Sequence, residues 1–179
     1  MKKSLQVSEN ITFNEAIAFA EMLLSQIQAE EFSSEEILTT ISALVKTVNG
    51  ARGFFVTYLP SATNLADNPS PEIIKALQSS PDTIAELMVK NLVMSAAMVI
   101  THRRHKNEEM AQSSHRVKTR SANLIKLLQI PAIYEIANQI LETITTGAGK
   151  YQEFLERWGY DTEQKQVMQE TLQKILSNQ

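Results

Sequence analysis

The chain has 179 residues, of which 43% are apolar, a formal net charge of −3 and no cysteine. This composition is typical of a globular protein, and it excludes disulfides, thiolate metal sites and cysteine nucleophiles. The acidic pI of about 5.7 also argues against a nucleic-acid-binding module, which is usually basic.

Helix-start signals dominate the first fifty residues. The pattern of a capping box, in which a side-chain oxygen and a glutamate three residues later each bind a backbone N–H, occurs at Thr12 and again at Ser33. Apolar residues follow both at helical spacing, and Gly50 is a favourable residue for ending the second helix. We therefore predict a helical hairpin over residues 12–50.

The segment 51–69 interrupts this helical pattern. Its residues 54–59 are mostly aromatic or β-branched, which is typical of a strand. Because no second run of this kind offers a partner strand, we predict one extended segment near 54–59 whose aromatic side chains enter the core. Loops of this length are often functional, so Arg52 and Tyr58 are candidate binding residues.

Two Ser-Pro pairs start further helices. Ser70 and Ser80 each precede a proline and an acidic residue, which is the order expected of an N-cap, a first helical position and a first turn. The helix after Ser80 is apolar nearly all round, which predicts a central position in a bundle. Polar residues inside its apolar run, 85–100, argue against a membrane span of about 20 apolar residues. We predict a soluble, cytoplasmic protein that does not bind a membrane.

The stretch THRRHKNEE at residues 101–109 combines a basic run with an acidic pair. The surrounding residues 101–130 hold seven lysines and arginines against two glutamates, together with all three histidines. An unbroken helix over 82–130 would be about 70 Å long at 1.5 Å per residue, too long for a compact domain. Cations favour a helix C-terminus and acids favour an N-terminus, so we predict a helix end near Asn107 and a new helix from Glu108.

The remaining chain predicts three helices. Pro131 starts the first, which ends before Gly147, an aromatic-rich stripe follows over 151–158, and Asp161 caps the last. The starting residues are again those that favour a helix N-terminus.

These elements predict an all-α fold. We expect a single α-helical domain over residues 1–179, built as a helical bundle of about seven helices with one extended segment near 54–59. The hairpin over 12–50 would pack on residues 70–179. No repeat or low-complexity tract stands out.

A surplus of lysine and arginine remains after the helix ends are accounted for. We interpret it as a basic ridge at 102–120 that suits a protein partner with an acidic surface. The leading hypothesis is a non-catalytic regulatory or scaffolding protein that acts through protein–protein interaction, and a homo-oligomer is a further expectation. The candidate binding residues are Arg52, Tyr58, His102, Arg103, Arg104, His105, Lys106, His115, Arg116, Lys118 and Arg120.

Two other functions stay open at this point. The same ridge could bind nucleic acid or a phosphorylated ligand, because arginine binds phosphate through paired hydrogen bonds, although the stretch lacks aromatic residues for base stacking. The third hypothesis is an enzyme with a site between the bundle and the 51–69 segment. A metal site would need His102, His105 and Glu109 on one face of a continuous helix, and the neighbouring arginines would repel a cation. We therefore predict no metal and no cofactor.

Overall fold

A computed structural model describes residues 5–178 of the chain. Within this range the backbone forms nine α-helices and no strand, which confirms the all-α prediction. The helices are α1 (Phe13–Gln28), α2 (Ser34–Val45), α3 (Val48–Tyr58), α4 (Pro71–Gln78), α5 (Pro81–Arg104), α6 (Glu108–Leu128), α7 (Pro131–Thr146), α8 (Gln152–Arg157) and α9 (Thr162–Leu176).

The predicted helix starts are confirmed. At the start of α1, the Thr12 side chain accepts a hydrogen bond from the Glu15 N–H at 3.2 Å, and the Glu15 carboxylate accepts one from the Thr12 N–H at 2.8 Å. The same reciprocal pair starts α2 and α9. Before α4, the Ser70 hydroxyl accepts from the Ile73 N–H and Pro71 takes the first helical position. These bonds satisfy backbone donors that a helix start leaves unpaired.

Residues 54–58 are helical and Leu59 is the C-cap of their helix, so the prediction of an extended segment there is wrong. This helix is α3, whose start is capped by Thr47 accepting a hydrogen bond from the Gly50 N–H at 3.0 Å. Gly50 therefore does not end the preceding helix. An added Cβ at Gly50 would lie 1.8 Å from the carbonyl oxygen of Leu44, so the close approach of the last turn of α2 requires glycine here.

The contacts within the chain define two compact units. The first contains the described residues up to Leu87 and the second begins at Met88, so the boundary falls within α5. Residues 12–50 contain α1, α2 and the first residues of α3. The single-domain organisation expected from the sequence, with a hairpin over 12–50, stays a prediction.

Helix α3 is central to the packing of the first unit. It packs against α1, and α2 packs against both α3 and α4. The backbones of α1 and α3 approach closely at Gly53, where an added Cβ would lie 2.4 Å from the Cβ of Ala16. Phe54 and Tyr58 are buried on α3 with stacked rings 4.9 Å apart, and the Tyr58 hydroxyl donates to the Leu65 carbonyl at 2.9 Å. The aromatic residues that suggested a strand thus belong to a buried helical core.

In the second unit, α7 packs against α8 and α9. Helix α9 is also bonded to α5, because the Gln164 amide donates to the Ala97 carbonyl at 3.3 Å and to the Thr101 hydroxyl at 2.8 Å. The side chains of Met168 and Leu172 on α9 are fully buried. Polar contacts at the start of α9 and apolar contacts along it therefore fix its position in this unit.

Helix α5 is long and apolar enough to cross a membrane, with a mean hydropathy of 1.5 over 18 residues. Half of that stretch is buried within the protein. A core helix of a soluble protein has the same length and composition, so this finding is weak support for a span. The cytoplasmic location expected from the sequence stays a prediction.

Candidate functional site

The helix break predicted near Asn107 is present. Helix α5 ends at Arg104 and α6 begins at Glu108, with Asn107 as the N-cap of α6. Lys106, rather than Asn107, adopts the left-handed conformation, with a φ of 56°. The Asn107 N–H donates to the His102 carbonyl at 2.9 Å, which satisfies an acceptor at the end of α5.

This break separates the residues of the hypothetical metal site. His102 lies in α5, His105 in the loop and Glu109 in α6, so they do not share one face of a continuous helix. Over residues 5–178, no three His, Asp or Glu side chains come close enough together to hold a metal ion. The expectation of no metal and no cofactor stays a prediction.

Two arginines of the basic ridge make ion pairs within the protein. The Arg104 guanidinium donates hydrogen bonds to the carboxylates of Asp161 and Glu163, and the Arg103 Nε lies 3.6 Å from a Glu108 carboxylate oxygen. The hydrogen bond from Arg104 holds the pKa of Asp161 below its ordinary value, and the two carboxylates raise the pKa of Arg104. Arg104 thus links the end of α5 to the start of α9.

Replacing Arg104 by methionine is expected to make stability less sensitive to acid. Because the folded-state pKa of Asp161 is lowered, its carboxylate contributes stability above its ordinary pKa of 3.8, and this contribution is lost as the pH falls through the lowered value. Arg104→Met lacks the main cause of the lowered pKa of Asp161. Its melting temperature should therefore fall less steeply than that of the wild type between about pH 5 and about pH 2. Circular dichroism measures the melting temperature at each pH, and hence its slope against pH, for the wild type and for Arg104→Met. Arg103→Met serves as the control, and equal slopes for Arg104→Met and the wild type would contradict the prediction.

The other candidate residues at 102–120 lie in different surroundings. His105 and Lys106 are exposed between α5 and α6, and His102 is half-buried at the end of α5. On α6, Arg116 is exposed but Arg120 is only 5% exposed, so it is not accessible to a partner. The predicted ridge therefore lacks Arg120 at its surface, while its other candidate residues are exposed or half-buried.

Arg52 and Tyr58 have structural contacts in the first unit. Arg52 is exposed on α3, and its guanidinium carbon lies 4.6 Å from the centre of the Phe13 ring. Tyr58 is 1% exposed and its hydroxyl is bonded to the Leu65 carbonyl. A buried, hydrogen-bonded Tyr58 is not available to a ligand at the surface.

His115 and Lys118 line a groove in the second unit with a volume of about 390 Å³. This volume lies within the range of ordinary small-molecule sites, about 300–1,000 Å³. Helices α5, α6, α7 and α9 supply most of the lining. The lining residues are Leu92, His115, Lys118, Thr119, Ala122, Ile125, Lys126, Tyr134, Val167, Glu170, Thr171, Lys174, Ile175 and Asn178.

One side of α6 faces this groove. His115, Thr119, Ala122 and Lys126 recur at intervals of three or four residues, and Lys118 lies next to them on the helix surface. Residues at this spacing share one side of a helix. The sequence of α6 therefore places two lysines and a histidine toward the same space.

A comparison with family models identifies the family of the chain. Residues 12–175 match the model described as "Uncharacterised conserved protein UCP020893". The chain belongs to this family. The matched range includes the groove residues from Leu92 to Ile175. No curated protein matches the chain, and no solved structure matches it.

In this member of the family, three lysines make the groove positive. Glu170 is the one carboxylate among the described residues that line it, against Lys118, Lys126 and Lys174. Burial lowers the pKa of Lys118, the nearby charge of Lys174 lowers it further, and Glu170 acts in the opposite direction. An anion between Lys118 and Lys174 would relieve their repulsion and favour the charged form of Lys118.

The sequence identified only part of this site. His115 and Lys118 were candidates, whereas Lys126 and Lys174 were missed. Lys126 follows His115 by about three helical turns, and this spacing could have placed the two on one side of α6. Lys174 lies on α9, so only the tertiary packing brings it to Lys118.

Proposed function

We propose that the protein is a non-catalytic regulatory or scaffolding protein that acts by binding a partner with anionic groups at the groove of the second unit. One observation carries this proposal: Lys118, Lys126 and Lys174 line one cavity together with a single carboxylate among its described lining residues. Charge-assisted hydrogen bonds from ammonium groups to carboxylate or phosphate are stronger than neutral ones.

The proposed binding site is the groove rather than the ridge predicted from the sequence. Arg103 and Arg104 are engaged in ion pairs and Arg120 is buried, which supports the groove over the ridge as the proposed binding site. Two members of the ridge, His115 and Lys118, line the groove. Charge complementarity thus supports the same class of function, binding of an anionic partner, with the binding site in the more enclosed groove.

Nucleic acid is a weaker candidate than a compact anion. The chain carries a net charge of −3, and a negative protein repels a long polyanion before contact. Nucleic-acid binding also needs many phosphate contacts and falls steeply with salt. A protein partner with an acidic surface and a homo-oligomer stay proposals.

A titration of the whole chain with inorganic pyrophosphate, followed by nuclear magnetic resonance, tests the proposal. The signals of α6 and α9 residues at the groove are expected to shift in a saturable way, and the affinity should fall as salt is added. The double variant Lys118→Glu, Lys174→Glu should weaken binding by about tenfold or more, because it replaces two attractive charges by two repulsive ones.

The double variant Lys46→Glu, Lys75→Glu is the matched control. Both lysines are exposed in the first unit, and the change in net charge is the same. Its affinity should stay within about twofold of the wild type, since Lys46 and Lys75 do not line the groove and exposed charges are screened by salt. Equal losses in the two double variants, or no saturable shift at the groove, would contradict the proposal.

A further inference from the structure

We infer that the ligand of the groove is a small amphiphile, with one carboxylate or phosphate head group on an apolar body. This inference rests on the proposed function and names the chemistry of the ligand at that site. It follows from the apolar floor of the groove, the position of the lysines and the volume between them.

The deepest part of the groove is apolar. Leu92, Ile125 and Ile175 line it and are buried, at 0%, 1% and 8% exposure. The half-buried side chains of Ala122 and Val167 continue this surface, and we call these five residues the apolar floor. Leu92, Ile125 and Ile175 are already shielded from water, so the part of the floor still open to a ligand is that of Ala122 and Val167. An inorganic anion would leave this part in contact with water, whereas the apolar body of an amphiphile would cover it.

The lysines lie farther out than the apolar floor. Lys126 and Lys174 are exposed and Lys118 is half-buried. A head group bound to them stays close to water while the attached apolar body reaches inward. Lys118 has lost part of its hydration and faces the charge of Lys174, so an anion at this level compensates for both effects.

The size of the groove favours a small molecule over an extended chain. The volume of about 390 Å³ lies near the lower end of the range of small-molecule sites, about 300–1,000 Å³. A nucleic acid carries its phosphates along an extended backbone and needs many phosphate contacts, more than the three lysines of one groove supply. A short-chain or ring-bearing acid matches both the volume and the charge.

Three probes separate the contributions of head group and body: octanoate, acetate and octanol. For this experiment the lysines are labelled by reductive methylation with carbon-13 methyl groups. The resonances of these groups report the ionisation of each lysine in the intact chain. Octanoate is expected to bind at least about tenfold more tightly than acetate, because its methylenes leave water on binding. It should also raise the pKa of Lys118 toward the ordinary lysine value.

Two variants test the two halves of the ligand. Ala122→Phe places a ring over the apolar floor, so it should weaken the binding of octanoate by about tenfold while pyrophosphate still binds. Lys118→Met removes the charge but keeps an apolar side chain of similar length. It should therefore weaken the binding of octanoate by about tenfold without weakening the binding of octanol. The second variant keeps the test decisive if the first does not fold.

The outcomes distinguish this inference from the proposed function. Saturable pyrophosphate binding together with octanoate no tighter than acetate overturns the inference and leaves the proposed function in place. No binding of pyrophosphate, octanoate or acetate at the groove overturns both. Equal weakening of octanoate and octanol by Lys118→Met also overturns the inference, because the head group would then have no role.

Discussion

Replacing Gly53 by alanine is expected to lower the free energy of unfolding by about 1–3 kcal/mol, the usual effect of adding a methyl group to a filled core. The added Cβ would lie 2.4 Å from the Cβ of Ala16 and 2.8 Å from the Ala16 carbonyl carbon. The second of these atoms belongs to the backbone of α1 and cannot rotate away. The two helices would therefore have to separate, and the contacts along α1 and α3 would be lost.

The sign of this effect makes the test informative. Gly53 is an ordinary helical position, and alanine is favoured over glycine in helices by about 1 kcal/mol. Helix propensity alone thus predicts stabilisation, whereas the packing predicts destabilisation. Urea unfolding of the wild type and Gly53→Ala measures the difference.

A second substitution provides the control for Gly53→Ala. Ala16→Gly removes the nearest atom, so the double variant Ala16→Gly, Gly53→Ala should be more stable than the sum of the single effects predicts. Stabilisation by Gly53→Ala alone would show that α1 and α3 are not in close contact at this point.

The variant Phe54→Ala is expected to lose about 3–5 kcal/mol of stability, the usual effect of removing a buried phenylalanine ring. Phe54 is 0% exposed, and its ring stacks on Tyr58 at 4.9 Å and meets Phe55 edge-on at 5.5 Å. Truncation to alanine removes both ring contacts and leaves a cavity in the first unit. Thermal and urea unfolding measure the loss.

Val56→Ala is the matched control on the same helix. Val56 is 50% exposed, so its truncation should change stability by less than about 0.5 kcal/mol. The extended segment predicted from the sequence would give a different result, since Phe54 and Val56 would then lie on the same side. Similar effects of the two truncations would contradict the helical assignment of α3.

The helix ends were predictable because their causes are local. A capping side chain bonds to a backbone group three residues away, so Thr12, Ser33 and Asp161 carry the signal in their immediate sequence. The break near Asn107 was predictable for a similar reason, as charges act on the nearest helix end. Within the break, Asn107 serves as the N-cap of α6 and the left-handed conformation falls on Lys106.

The error at 54–59 shows where local signals fail. Aromatic and β-branched residues favour strands only weakly, and tertiary contacts override this preference. Here Gly50 and Gly53 allow α2 and α1 to approach α3, and Phe54 and Tyr58 share one buried side of the helix. Glycine signalled a helix end in the sequence, whereas its role in the structure is to permit close packing.

The sequence by itself determined the all-helical fold, most helix ends and the concentration of positive charge in residues 101–130, because these depend on composition and on neighbours within a few residues. Only the tertiary structure decided what the charges do. Arg104 pairs with Asp161 and Glu163, and Lys118 shares a groove with Lys174, because α9 packs beside the other helices of the second unit. Pairing between distant helices depends on the whole core of the unit, which no short stretch of sequence specifies.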